Sequence, residues 1–134
     1  MSKNGEGNIL NVASVAGFLP GPLMAVYYAT KAFVVSFSEA IAEELSGSGV
    51  SVTVLCPGPV ETQFATHADL GKSALFKHSK PATAQSVAQF GYQAMKEGKR
   101  VAIHLWSNKL MVFASKFVPR KMLTKVVGWI QRAE

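Results

Sequence analysis

Two apolar runs of strand length flank a stretch, Leu23 to Leu45, in which nothing breaks a helix, and this order constrains the fold more than any other feature of the chain. The first run, "GNILNVAS" (7 to 14), contains Ile9, Leu10 and Val12 with Asn11 as its one conspicuous polar member. It reads as a strand buried on both faces. "GFLPGP" (17 to 22) supplies turn chemistry before the helix, and "GSG" (47 to 49) supplies a stop after it. The second run, "VSVTVL" (50 to 55), alternates β-branched residues and ends abruptly at "CPGP" (56 to 59). Strand, helix and strand in that order make a βαβ unit. Its two strands are expected to lie parallel, joined by a right-handed crossover.

Downstream, roughly residues 60 to 81 read as irregular, with Gly71, Pro81 and scattered polar residues. Thr83 to Glu97 reads as a helix capped by Thr83 or a neighbour and closed by Gly98. "RVAIHLW" (100 to 106) is expected to be a third strand. Ser107 to Glu134 gives two amphipathic helical segments split by Pro119. Leu110, Phe113, Ala114 and Phe117 share one face of the first; Leu123, Val126, Val127 and Ile130 share one face of the second.

With 134 residues the chain suits one domain, and 49% hydrophobic against 16% charged residues describes a packed core rather than a disordered chain. Residues 7 to 30 carry no charge, but Asn8, Asn11, Gly17, Pro20, Gly21 and Pro22 interrupt them, so a membrane span is not expected. The opening "MSKNGEG" has no apolar core of a secretory signal. Together with a single cysteine, Cys56, this makes a reducing cytoplasm the expected compartment. Cys56 itself reads as a small buried residue at a strand end. His67, His78 and His104 are too scattered for a metal site and read as surface or loop residues.

The net charge of +6 is placed unevenly, because residues 99 to 134 hold eight of the fourteen Lys and Arg against Glu134 alone. No recognition motif accompanies this charge, so nucleic acid is not an expected partner. Lys109, Lys116, Lys121, Lys125 and Arg132 beside an apolar stripe with Trp129 suit an anionic membrane surface. The preferred expectation is that these helices pack on a substrate cleft or a partner subunit, with solvated lysines.

Chemistry concentrates in "YYATK" (27 to 31). Tyr27 and Lys31 are four apart and Tyr28 and Lys31 three apart, so in a helix either tyrosine shares a face with the lysine, and spacing alone leaves both pairs open. An adjacent ammonium favours a phenolate, which makes a Tyr and Lys pair a candidate general acid/base. Ser14, thirteen residues before Tyr27, stands at the C-terminal end of the first strand, the edge at which ligands bind in open α/β sheets. It is the candidate donor to a substrate oxygen.

"ILNVASVAG", then "YYATK", then "VTVLCPGPVET", in this order and at these spacings over roughly residues 5 to 64, resemble the classical short-chain dehydrogenase/reductase family. The resemblance implies a Rossmann-like three-layer α/β/α fold, with the chain as the C-terminal half of a doubly wound parallel sheet in one partial domain. It implies an oxidoreductase that moves hydride between NAD or NADP and an alcohol or ketone. By the same resemblance the catalytic residues are Ser14, Tyr27 and Lys31, with Tyr28 a packing neighbour. Lys31 would also bond the cofactor ribose, Pro57 and Gly58 would form a turn lining the nicotinamide, the backbone of Val60 would meet the carboxamide, and Thr62 would lie near the phosphates. A homo-oligomer is implied for the complete enzyme.

The family's initial strand with its Gly-rich turn, and its "NNAG"-like strand end, have no counterpart in these residues. The expectation is therefore a fragment of a longer product, or a half completed by another chain, that binds a dinucleotide weakly by itself. The competing expectation is a non-catalytic fragment or interaction module working through the basic amphipathic tail.

Overall fold

The computed structural model describes residues 1–61 and 81–132. Strand β1 (Gly7–Val12) leads through a short 3-10 turn, Val15–Phe18, into helix α1 (Ala25–Glu44), which returns to strand β2 (Val50–Cys56). β1 and β2 pair in parallel from Gly7↔Val50 to Val12↔Leu55, as the βαβ pattern requires. Two-residue strands β3 (Val60–Glu61) and β4 (Ala82–Thr83) pair in parallel with each other, and helix α2 (Ala84–Lys96) follows. Strand β5 (Val101–Ile103) joins β2 on its other side, also in parallel, giving the order β1-β2-β5. Helices α3 (Trp106–Ser115) and α4 (Arg120–Arg132) close the chain on either side of Pro119.

Central β2 explains the three layers. On one side Val54 and Cys56 pack with Ala13 and with Val35 of α1; on the other, Leu55 packs with Val87 and Ala94 of α2 and with Ala102. Alternate side chains thus meet apolar partners on both faces, which is why this strand carries a continuous apolar run. Asn11 is anchored to α1, its Nδ2 donating to Ser38 Oγ at 2.9 Å while Ser38 donates to the Val34 carbonyl at 2.6 Å. Gly91 lets α2 approach the sheet, since a Cβ there would lie 2.6 Å from Leu55 Cδ2. α2 begins as expected, with Thr83 Oγ1 accepting from Ser86 N at 3.2 Å, and Gly98 past its end has φ 67°.

Several expectations are corrected. β1 is not buried on both faces: it is an edge of the three-stranded sheet, its interior positions are half-buried, and Val12 is 55% exposed. An edge strand has a neighbour on one side only, so its flank is open. The third strand ends at Ile103, not at residue 106, because Leu105 adopts φ 68°, a conformation outside the strand region, and the chain turns there into α3. β3 at the start of the stretch read as irregular and β4 just past its end are each too short to leave a periodic signal. Leu110 and Phe113 of α3, and Phe117 just beyond it, are exposed, while Val112 is buried and Met111 half-buried, so the helix packs through a different face. In α4 Leu123 and Val127 are buried, as the stripe implies, whereas Val126 is exposed. No helix among the described residues is long and apolar enough to cross a membrane.

Candidate active site

The parallel strands bring their C-terminal ends to one edge, and hydrogen bonds hold the segments beyond them together. Ala13 N donates to Leu55 O at 2.8 Å and Val15 N to Pro57 O at 3.0 Å. Ser14 lies between them, buried. Its Oγ accepts from Ala16 N at 3.1 Å, capping the 3-10 turn, and donates across to Pro57 O at 3.4 Å. That long second bond leaves a hydroxyl positioned by the backbone at the sheet edge where ligands of open α/β sheets collect.

α1 carries the tyrosines over this edge. Ser14, Tyr27, Tyr28 and Gly58 wall one cavity of about 60 Å³, together with Leu19, Met24, Pro59 and Met111 among others. The sequence therefore brings the expected serine, both tyrosines and the Gly58 turn to one place. Lys31 is not a wall of this cavity; it is half-buried one turn along α1, its Nζ 5.8 Å from the centre of the Tyr27 ring. Gly17 packs directly on this turn, since a Cβ there would lie 2.8 Å from the Lys31 carbonyl oxygen.

The two tyrosines have different surroundings. Tyr28 is 5% exposed, packs with Ala16, Leu123 and Val127, and accepts a hydrogen bond at 3.0 Å from Nε2 of Gln131 on α4. Burial pushes its phenol above the ordinary value of 10.0, against the opposing pull of the Gln131 bond. Gly21 exists to admit this ring, because a Cβ at that position would overlap it. Tyr27 is half-buried, meets the Tyr28 ring edge-on at 5.9 Å, and lies beneath the Lys31 ammonium. A phenol held neutral and bonded to a buried amide is suited to packing; a half-buried one beside a cation is suited to proton transfer.

Pro57 is buried and Gly58 and Val60 are half-buried in the turn beyond β2. Val60 pairs with Ala82, and Ala82 N donates to Pro59 O at 3.0 Å, so β3 and β4 brace this turn. Thr62, and with it the expected phosphate contact, lies outside the described residues, as do His67 and His78. Asn108 escaped the sequence reading: its Nδ2 donates to the His104 carbonyl at 2.7 Å and stands where a Cβ on Gly58 would come within 2.6 Å. Gln131 escaped it too, since nothing in sequence signals a partner 103 residues from Tyr28.

His104 is corrected from a surface to a buried residue. It packs edge-on against Phe90 at 5.2 Å, burial lowers its pKa, and its Nδ1 has no hydrogen-bond partner among the described residues. Cys56 is fully buried as expected, and burial, with Glu39 adding to it against the opposing effects of Ser14 and Lys31, pushes its thiol up to about 12. No group of residues able to hold a metal ion occurs among the described residues.

A profile of the short chain dehydrogenases matches residues 1–72, more than half of the chain. The chain belongs to the short-chain dehydrogenase family. Among its relatives, a very-long-chain 3-oxoacyl-CoA reductase of Mus musculus is 34% identical over 128 residues, which is 95% of this chain and 38% of that protein. An uncharacterized oxidoreductase of Staphylococcus epidermidis is 34% identical over 102 residues, 76% of this chain and 42% of that protein. A short-chain dehydrogenase from Sphingobium yanoikuyae, solved in complex with NADPH, superposes with a TM-score of 0.69 at 24% identity, covering 99% of this chain and 49% of that one. The short-chain dehydrogenase chain described here thus spans about two-fifths of the curated relatives it matches, and it has their Rossmann-type α/β fold.

Proposed function

We propose that the chain is the substrate-facing, C-terminal part of an NAD(P)-dependent oxidoreductase that interconverts an alcohol and a ketone. The observation that carries this reading is that Ser14 and Tyr27 wall one cavity at the C-terminal edge of the parallel sheet, beside the Gly58 turn, with Lys31 over the Tyr27 ring. Ser14 Oγ, held by Ala16 N and Pro57 O, orients the substrate oxygen. The Tyr27 hydroxyl gives that oxygen a proton during reduction and takes it back during oxidation. The Lys31 ammonium stabilises charge on the Tyr27 oxygen and is the candidate donor to a ribose hydroxyl. A bound nicotinamide supplies or accepts the hydride.

The donor set fits the nicotinamide end of such a cofactor. Two hydroxyls, an ammonium and the backbone of Gly58 to Val60 gather at one sheet edge, and Thr62 is the proposed phosphate neighbour beyond them. The pyrophosphate end finds no cradle in the βα connection among the described residues, where Gly17 and Gly21 are committed to packing on Lys31 and Tyr28. NAD or NADP is the proposed cofactor; the NADPH held by the Sphingobium relative supports it. Phe33 and Phe37, stacked at 5.8 Å on the exposed side of α1, support association of copies in the complete enzyme. A lone buried thiol supports a cytoplasmic setting.

A second reading, an interaction module that uses the basic tail on a partner or an anionic membrane, is favoured by the exposed Trp106, Leu110 and Phe113 of α3 and Phe117 just beyond it. Tyr27→Phe in the complete enzyme tests the first. Loss of general acid/base catalysis lowers kcat by about 10²–10⁴-fold, and the fold should be retained because the ring is kept. Retention of more than about a tenth of the activity would overturn the role of Tyr27. Salt-sensitive sedimentation with anionic liposomes, with no turnover of any ketone, would favour the module.

A further inference from the structure

Leu19 and Met111, which wall the cavity at Ser14 and Tyr27, also wall a second and larger one of about 220 Å³ between α3 and α4. Its other walls come from Ala114, Ser115 and Val118 on one side and Leu123, Val126, Val127 and Ile130 on the other. Among the described residues no charged side chain lines it. Ser115, the one polar residue among the described walls, donates its hydroxyl to the Val112 carbonyl at 2.7 Å, so those walls present no free donor to a ligand. Its walls offer water few polar partners, and for scale an enclosed apolar cavity of about 150 Å³ takes benzene. An occupant matched to these walls is hydrocarbon and larger than a single aromatic ring.

We propose that the α3–α4 cleft seats the apolar body of the substrate whose oxygen is held at Ser14 and Tyr27. The substrate class is then a ketone or secondary alcohol carrying an extended hydrocarbon group, which runs from the reacting carbon past Leu19 and Met111 into the cleft. This rests on the oxidoreductase reading and adds what that reading leaves open, the chemical nature of the group attached to the carbonyl. The shared walls carry it: a small ketone would fill the 60 Å³ at the tyrosines and leave the adjoining apolar volume empty, whereas a hydrocarbon chain covers both.

The test uses the complete enzyme with NADH and NADPH and a series of methyl ketones from butan-2-one to decan-2-one. kcat/KM is expected to rise about three- to fourfold for each methylene that enters the cleft. Ala114→Trp fills the cleft from its exposed mouth, and in that variant the rise with chain length should flatten. A readout without turnover accompanies it: decan-2-ol should raise the thermal midpoint more than butan-2-ol does at equal concentration, and Ala114→Trp should erase the difference. Ketones reduced with no dependence on length, or a dependence unchanged in Ala114→Trp, would overturn the cleft assignment and leave the oxidoreductase reading standing. If no ketone is reduced and Tyr27→Phe behaves as the parent enzyme, the oxidoreductase reading falls and takes this inference with it, whatever the alcohols do to the midpoint.

Discussion

Replacing Tyr28 by Phe removes one oxygen atom and separates the two tyrosines more sharply than any other substitution. The Tyr28 hydroxyl is the acceptor for Gln131 Nε2 at 3.0 Å, and Gln131 is itself 7% exposed. Without that oxygen a buried amide N–H has lost its acceptor, and leaving a buried donor unsatisfied costs about 1–3 kcal/mol. The ring remains in the cluster of Ala16, Leu123 and Val127, so little packing is lost. In a complete enzyme of a few hundred residues, about 2–4 °C of midpoint per kcal/mol gives a fall of about 2–12 °C. Tyr28→Phe/Gln131→Leu replaces both partners by apolar groups and should recover most of the loss, since such double replacements are nearly neutral. Urea or thermal unfolding of the four proteins of this cycle measures the coupling, expected at about 1–3 kcal/mol. Turnover per folded molecule of Tyr28→Phe should stay within about one order of magnitude of the parent, against the 10²–10⁴-fold loss for Tyr27→Phe. An unchanged midpoint together with abolished turnover would show that the roles are reversed.

Gly49 has φ 77°, and a Cβ there would overlap the carbonyl oxygen of Gly5, so Gly49→Ala should lose about 2 kcal/mol or more; denaturant titration checks this, and a midpoint within error of the parent would contradict the packing at that turn. The Cys56 thiol is pushed up from 9.0 to about 12, so between those values the unfolded chain releases a proton that the folded chain keeps. Stability from this group is therefore full below pH 9 and is lost as pH rises towards 12, by about 1.4 kcal/mol per pH unit. Cys56→Ala should show a shallower alkaline fall in unfolding free energy over that window, and identical slopes would refute the shift.

The βαβ core was legible because its causes are local. An uninterrupted helical stretch between two apolar runs, with glycines at its end, allows few arrangements, and the parallel β1–β2 register follows from the crossover. The serine at the end of the first strand and the YxxxK spacing were legible too, since a strand end and a helix face are set by counting residues. What distinguishes Tyr27 from Tyr28, by contrast, comes from α4: Gln131, Leu123 and Val127 surround one phenol and not the other, and contacts across a hundred residues leave no periodic trace. The same holds for His104, which only the packing of Phe90 identifies as buried, and for the face of α3 that turns inward, where the larger apolar stripe proved to be the exposed one. Hydrophobic periodicity says that a helix has an apolar face; which residues are covered depends on what the rest of the chain brings against it. Strand, helix and motif spacing were thus properties of the sequence by itself, whereas the surroundings of the two phenols and the cleft between α3 and α4 were decided by tertiary packing, because burial is a property of neighbours that the chain assembles only on folding.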